Sequence, residues 1–187
     1  DPSREYGFLG VVVDTSTLEG SIWTWKREGG RFSIAKTAVI PPEPADAAVL
    51  PPLLKGFGAV PPLISDIDLS LDDRFLYVAC WGTGELRQYD VTDPMKPQLA
   101  GSVRIGGIAR HTAHPNGSAF GGGPQMTEIS RDGKRVYFTN SLYSRWDAQF
   151  YPDGVPGRQV MCHVGPDGGI ELDPKFVDVI VARFERF

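Results

Sequence analysis

The sequence predicts an all-β chain built of β-propeller blades. Ser70-Leu71-Asp72-Asp73-Arg74-Phe75-Leu76-Tyr77-Val78 is echoed by Ser130-Arg131-Asp132-Gly133-Lys134-Arg135-Val136-Tyr137-Phe138. Each copy follows an apolar/polar alternation, Ile64–Leu69 before the first and Met126–Ile129 before the second. Each therefore reads as strand, acidic turn, strand. A hairpin repeated at a period of tens of residues marks an array, most often a propeller. Gly 22 and Pro 16, together about a fifth of the 187 residues, favour short strands and many turns over helices.

The elements follow in order. Tyr6–Val13 is a short run rich in β-branched residues, Ser21–Lys26 alternates with period two, and Phe32–Lys36 returns after the Glu28-Gly29-Gly30-Arg31 turn. Residues 6–40 thus form one blade-like unit. Residues 41–62 carry Pro41, Pro42, Pro44, Pro51, Pro52, Pro61 and Pro62. Proline removes ladder donors, so this stretch reads as a crossing loop. Residues 63–105 give four strands: Ile64–Leu69, Arg74–Cys80, Glu85–Val91 and Gln98–Ile105. The Trp81-Gly82-Thr83-Gly84 turn joins the middle pair. A Gly- and His-containing loop spans 106–123. Residues 124–177 repeat the blade, with an insertion at Ser141–Gly157 before the strand Gln159–Val164. The tail, 177–187, suits either a strand or a helical turn.

The count is about three four-stranded antiparallel blades in one partial propeller region, 1–187. Closed propellers use at least four, so the chain is expected to belong to a longer protein or to close by assembly. A net charge of −4 and a pI near 5.4 argue against nucleic acid or an anionic membrane as partner. No apolar run approaches the roughly 18 residues of a membrane span. The N-terminus, Asp1-Pro2-Ser3-Arg4, shows no signal pattern and no Met, and leaves cytoplasm and periplasm equally open. Two cysteines, Cys80 and Cys162, outside any C-x-x-C spacing, are expected as free buried thiols.

Asp66–Val78 together with Trp81-Gly82-Thr83-Gly84-Glu85-Leu86-Arg87-Gln88-Tyr89-Asp90 resembles the selenium-binding protein family, which includes methanethiol oxidases. Gly122–Met126, Thr139–Tyr143, Trp146–Asp153, Tyr6–Gly10 and Leu53–Phe57 agree. The resemblance runs from about residue 6 to about 177. It implies a seven-bladed propeller and copper-dependent oxidation of methanethiol to formaldehyde, hydrogen peroxide and hydrogen sulfide, with selenium binding as a further property. It also implies that this chain matches a C-terminal part, the His-rich segments that hold most of the metal site lying upstream. The residues 179–187 depart from the family pattern. The alternative is a non-catalytic selenium-binding or protein-interaction propeller.

His111 and His114 are the candidate copper ligands, at i, i+3 in a Gly-rich loop; the competing reading is a pair of solvated loop histidines. His114-Pro115 resembles a His-Pro of bacterial members. Trp146, Phe150 and Tyr151, in the insertion, are candidate pocket walls for a small thiol, or a packed loop capping strands. Cys80 is the candidate selenium ligand, against a small buried core residue. His163 reads as an exposed or hydrogen-bonded strand histidine. Asp66, Asp68, Asp72, Asp73, Asp90 and Asp93 read as turn formers.

Overall fold

The structure is a computed structural model that describes residues 3–177. Those residues form four antiparallel sheets and no closed barrel. The first sheet holds β1 (Tyr6–Val11), β2 (Gly20–Glu28) and β3 (Arg31–Ile40). A two-stranded sheet pairs β4 (Glu43–Pro44) with β5 (Ala59–Val60). The central sheet runs β6 (Ile64–Leu69), β7 (Phe75–Cys80), β8 (Glu85–Asp90) and β9 (Gln98–Arg104). The last holds β10 (Thr127–Ile129), β11 (Arg135–Thr139), β12 (Gln159–Val164) and β13 (Ile170–Val177), with one short helix, α1 (Ser144–Asp147), between β11 and β12.

The strand reading of the sequence is met with two differences. The first unit has three strands, not four, and the prolines of 41–62 still leave room for the short β4–β5 pairing. Pro44 is tolerated there because a two-residue edge demands few ladder donors. Of the tail, residues 178–187 lie outside the described residues.

The sheets stack face to face through alternation. Ile22, Ile40 and Phe8 of the first sheet meet Ile64, Leu76, Val78 and Cys80 of the central one. Phe75, Tyr77, Ala79 and Leu86 on its other face meet Ile129, Val136, Phe138, Val160 and Cys162. Each fully buried aliphatic side chain contributes about 1.5–3 kcal/mol. Polar pins add to the second junction. Asp66 Oδ2 accepts from the Thr127 amide at 2.7 Å and from its hydroxyl at 2.8 Å. Ser65 Oγ donates toward the Pro124 and Gln125 carbonyls at 3.2 and 3.3 Å.

The repeated hairpins share one construction. Ser70 Oγ donates to Asp72 Oδ1 at 2.6 Å and accepts from the Phe75 amide at 2.8 Å. Ser130 Oγ donates to Asp132 Oδ1 at 2.6 Å and accepts from the Arg135 amide at 3.1 Å. The fourth residue of each turn is left-handed, Asp73 at φ 57° and Gly133 at φ 68°, a conformation open to Gly and tolerated by Asp. The Ser70 and Ser130 hydroxyls hold the carboxyls of Asp72 and Asp132 below the ordinary 3.8. A carboxyl lowered in the fold stabilises fully above its unfolded value and loses that contribution as pH falls through the lowered one. The melting temperature is therefore expected to hold from pH 7 to 5 and to fall below about pH 4. The S70A/S130A double variant should show a shallower fall, measured by calorimetry across pH 2–5. Asp68 works the other way, since burial raises its carboxyl and protonation relieves that cost.

Candidate functional site

The register places every long loop at one end of the sheets. Ile64 faces Cys80, Cys80 faces Glu85 and Glu85 faces Arg104. Val11 faces Ser21, Gly20 faces Ile40, and Thr139 faces Gln159. The connections 12–19, 41–63, 81–84, 105–126 and 140–158 therefore leave from this end, and connections of two to seven residues close the other. Scaffolds commonly carry binding groups on such loops.

A third apolar cluster fastens the loops together: Leu50, Leu54, Val60, Leu63, Trp81, Ile108, Phe150 and Tyr151. Trp81 is its centre. Its ring meets Phe150 at 5.4 Å and Tyr151 at 5.7 Å, both edge-on, a favourable aromatic geometry. Its indole N–H donates to the Asn140 carbonyl at 2.9 Å. The Asn140 side chain donates to the carbonyls of Gly121 at 2.8 Å and Pro156 at 2.9 Å, and accepts from the Arg158 amide at 2.7 Å. One buried amide thus joins the glycine-rich loop to both ends of the insertion. Asp147 closes the insertion, accepting from Ser141 Oγ at 2.5 Å and the Leu142 amide at 3.2 Å. The backbones pack so closely that a Cβ on Gly122 would lie 2.0 Å from the Asn140 carbonyl oxygen.

Phe150 and Tyr151 are buried, and Trp146 rests on Phe150 at 5.4 Å. They join one cluster, as packed rings holding the insertion down. The Tyr151 hydroxyl donates to the Gly122 carbonyl at 3.2 Å, and burial pushes its ionisation up. A cavity of about 180 Å³ at this end lies against Glu43, Asp46, Thr83 and Arg110. Beside it Glu43 bridges Arg104 and Arg110, and Glu85 bridges Arg87 and Arg104.

The two loop histidines sit in opposite environments. His111 is exposed at φ 49°, its ring edge-on to Tyr151 at 6.2 Å. His114 is 1% exposed. Its Nδ1 accepts from the Asn116 amide at 3.2 Å, which leaves the proton of the neutral ring on Nε2. Nε2 is buried without a hydrogen-bond partner, as are Thr83 Oγ1 and Trp146 Nε1 at the same end. A copper centre needs three or four deprotonated donors converging. Among the described residues no group of three His, Cys, Asp or Glu is placed to hold a metal. These residues do not by themselves fit the copper that the family resemblance implies.

Cys80 is 0% exposed, its thiol pushed up to about 12 by burial. Cys162 is buried likewise and also pushed up to about 12. At pH 8 the thiolate fraction is about one in ten thousand, and the thiolate is the nucleophile. Neither cysteine is expected to react with Ellman's reagent at pH 8 in the folded protein, and both should react in 6 M guanidinium. Fast labelling of the native chain would contradict this. His163, in β12, pairs with Asp173 at 3.0 Å.

Asn140 lies inside the Thr139–Tyr143 segment that resembles the family, but nothing in that segment assigns it a role. It stands in Thr139-Asn140-Ser141 as an ordinary loop asparagine, and only its long-range partners reveal its role. The 56 kDa selenium-binding protein family model matches residues 1–183. The chain belongs to that family. This selenium-binding protein family member is 40% identical to a human methanethiol oxidase and 40% identical to a mouse selenium-binding protein 2, each match covering 95% of the chain and 39% of the relative. A hypothetical selenium-binding protein from Sulfolobus tokodaii, solved by X-ray, superposes with a TM-score of 0.92 at 52% identity, over 95% of this chain and 39% of that one. The chain thus spans about two fifths of the length of these relatives, matching a C-terminal part of them. No helix among the described residues is long and apolar enough to cross a membrane.

Proposed function

We propose that the three larger sheets are blades of a propeller and that the loop end contributes one wall of a small-thiol oxidation site of the methanethiol oxidase type. The observation that carries this reading is the 40% identity to a human methanethiol oxidase across nearly the whole chain.

The overall reaction takes methanethiol, dioxygen and water to formaldehyde, hydrogen sulfide and hydrogen peroxide. The C–S bond and one C–H bond break, a C=O bond forms with the oxygen of water, and two electrons pass from the thiol carbon, with two protons, to dioxygen. Copper, implied by the family, would take its ligands chiefly from the three fifths of the relatives' length that lies outside this chain. The residues described here hold the loop wall in place through the Trp81 and Asn140 contacts. A chimera in which this chain replaces the matching region of the Sulfolobus relative tests the reading. It is expected to retain copper through gel filtration and to release hydrogen peroxide from methanethiol; copper-free, inactive but folded chimera would sink it.

A second reading, a non-catalytic selenium-binding propeller, draws on the name of the mouse relative. It predicts selenite labelling without turnover. With Cys80 sealed in the core, such labelling should survive C80S; its loss in that variant would place selenium on Cys80 after all.

A further inference from the structure

Three arginines converge on one cleft at the loop end. Glu85 and Arg87 stand two apart on β8 and so share one face of the central sheet. Arg104 of β9 faces Glu85 across the ladder. Arg110 reaches in from the loop that follows β9, and Glu43 from β4. The cleft between them has a volume of about 270 Å³. That lies below the roughly 300–1,000 Å³ of sites for drug-sized molecules and suits a ligand of a few heavy atoms. Pro41, Pro42 and Pro44 form the opposite wall, a stiff stretch with no main-chain N–H to offer. Donors in the cleft therefore come chiefly from side chains.

The ion pairs leave donors over. Glu85 Oε2 accepts from Arg87 Nε at 2.9 Å and from Arg104 Nη2 at 3.2 Å. Glu43 Oε2 accepts from Arg104 Nη1 at 2.9 Å, and its Oε1 accepts from Arg110 Nε. A guanidinium carries more N–H donors than these pairs use, and it is always charged. Three cations against two carboxylates give the cleft an excess positive charge, in a chain whose net charge is −4. The side chain of Arg87 is 17% exposed, that of Arg104 35% and that of Arg110 54%. The charge thus runs from the floor of the cleft to its mouth. Thr83 lines the same cleft and the smaller cavity beside it. It is 6% exposed, and its Oγ1 is buried with no hydrogen-bond partner among the described residues. A buried hydroxyl left unpaired costs stability, and a charged oxygen is its strongest acceptor.

We propose that this cleft is a binding site for a small oxyanion, held by the guanidinium forks of Arg104 and Arg110 and by the Thr83 hydroxyl, with Arg87 as a fixed positive charge behind them. Such forks match pairs of negative oxygens in geometry and charge. They read the oxygens and not the atom that bears them, so sulfate, phosphate and selenite share the required chemistry. The site goes beyond both functional readings above, since it needs neither copper nor a reactive thiol.

The test titrates the chain at pH 7, in a buffer poor in chloride, with sodium sulfate, sodium phosphate and sodium selenite in turn, read by isothermal calorimetry. Melting shifts are not the readout, because sulfate raises melting temperatures without any site. Saturable one-to-one binding of sulfate or phosphate is expected, with selenite competing for the same site, and the order of the three affinities identifies the oxyanion that fits best. Arg110→Gln, at the exposed mouth, should weaken binding about ten-fold, the scale of one charge-assisted hydrogen bond. Thr83→Val keeps the side-chain shape and should weaken it about three- to ten-fold. Arg131→Gln, at the opposite end of the sheets, should change nothing. Circular dichroism confirms that each variant is folded. Absence of saturable binding, or selenite uptake with neither sulfate nor phosphate bound, would overturn the proposal. So would binding that R110Q and T83V leave unchanged or that R131Q weakens equally, since the arginines would then serve only to pin the loops.

Discussion

Replacing Asn140 by aspartate is expected to cost about 3–5 kcal/mol at pH 7. The change is nearly isosteric, so packing is not the cause. Asn140 Nδ2 donates to two carbonyls, at 2.8 and 2.9 Å. A carboxylate there would set oxygen against oxygen, with a buried charge at a residue that is 0% exposed. Burial and the facing carbonyls would raise the new carboxyl's pKa. A group whose folded value is raised keeps its stability below the unfolded value and loses it as pH rises through the folded one. N140D should therefore recover part of its loss near pH 4.5, when the protonated acid can donate to one carbonyl. Urea denaturation at pH 7 and pH 4.5 checks both halves. The native hairpin acids lose their contribution only at lower pH, so the window is clean. A variant as stable as the parent at pH 7 would show that the amide bonds carry little.

Trp81→Ala is expected to be the other severe change, at about 3–5 kcal/mol, or a melting temperature lower by roughly 10 °C or more. The substitution empties the centre of the loop cluster and removes the edge-on contacts to Phe150 and Tyr151. It also leaves the Asn140 carbonyl without its indole donor. Trp81→Phe separates the two effects, because it keeps most of the volume and loses the N–H. Its cost should be about 1–2 kcal/mol. The insertion should loosen first, so Trp146 emission is expected to shift red in W81A below the main transition. Unchanged stability in W81A would mean that the loops are held chiefly by their backbones.

The strands were legible because their signal is local. Ser70 and Ser130 open turns whose bonds lie within five residues, and alternation around them shows in any short window. The face-to-face stacking of the sheets follows from the same alternation, with Ile22, Val78 and Val136 falling on inward faces. The site was less legible. His111 and His114 stand three residues apart in an irregular loop, where spacing fixes no direction. The amide of Asn116 turned one ring inward, and Tyr151 received the other. Phe150 and Tyr151 read equally as pocket wall or packed loop, and Trp81, the ring they pack on, lies far away in sequence. Asn140 had no local signature at all, since its partners come from three separate stretches.

The polar pins described at the second sheet junction set an order of disassembly. Asp66 and Ser65 tie the central sheet to the last through partly buried side-chain bonds, whereas the first sheet holds the central one chiefly by apolar contact, aided by Thr24 Oγ1 on the Pro94 carbonyl at 2.8 Å, the Ile64 amide on the Val12 carbonyl at 3.2 Å and the partly exposed Arg4–Asp73 pair at 3.1 Å. The central and last sheets should therefore behave as one cooperative unit and the first as a separate, weaker foldon. Under mild denaturant a protease would find the 12–19 connection and the Gly29-Gly30 turn before any site beyond residue 63. The fragment left behind would be the two pinned sheets, still folded.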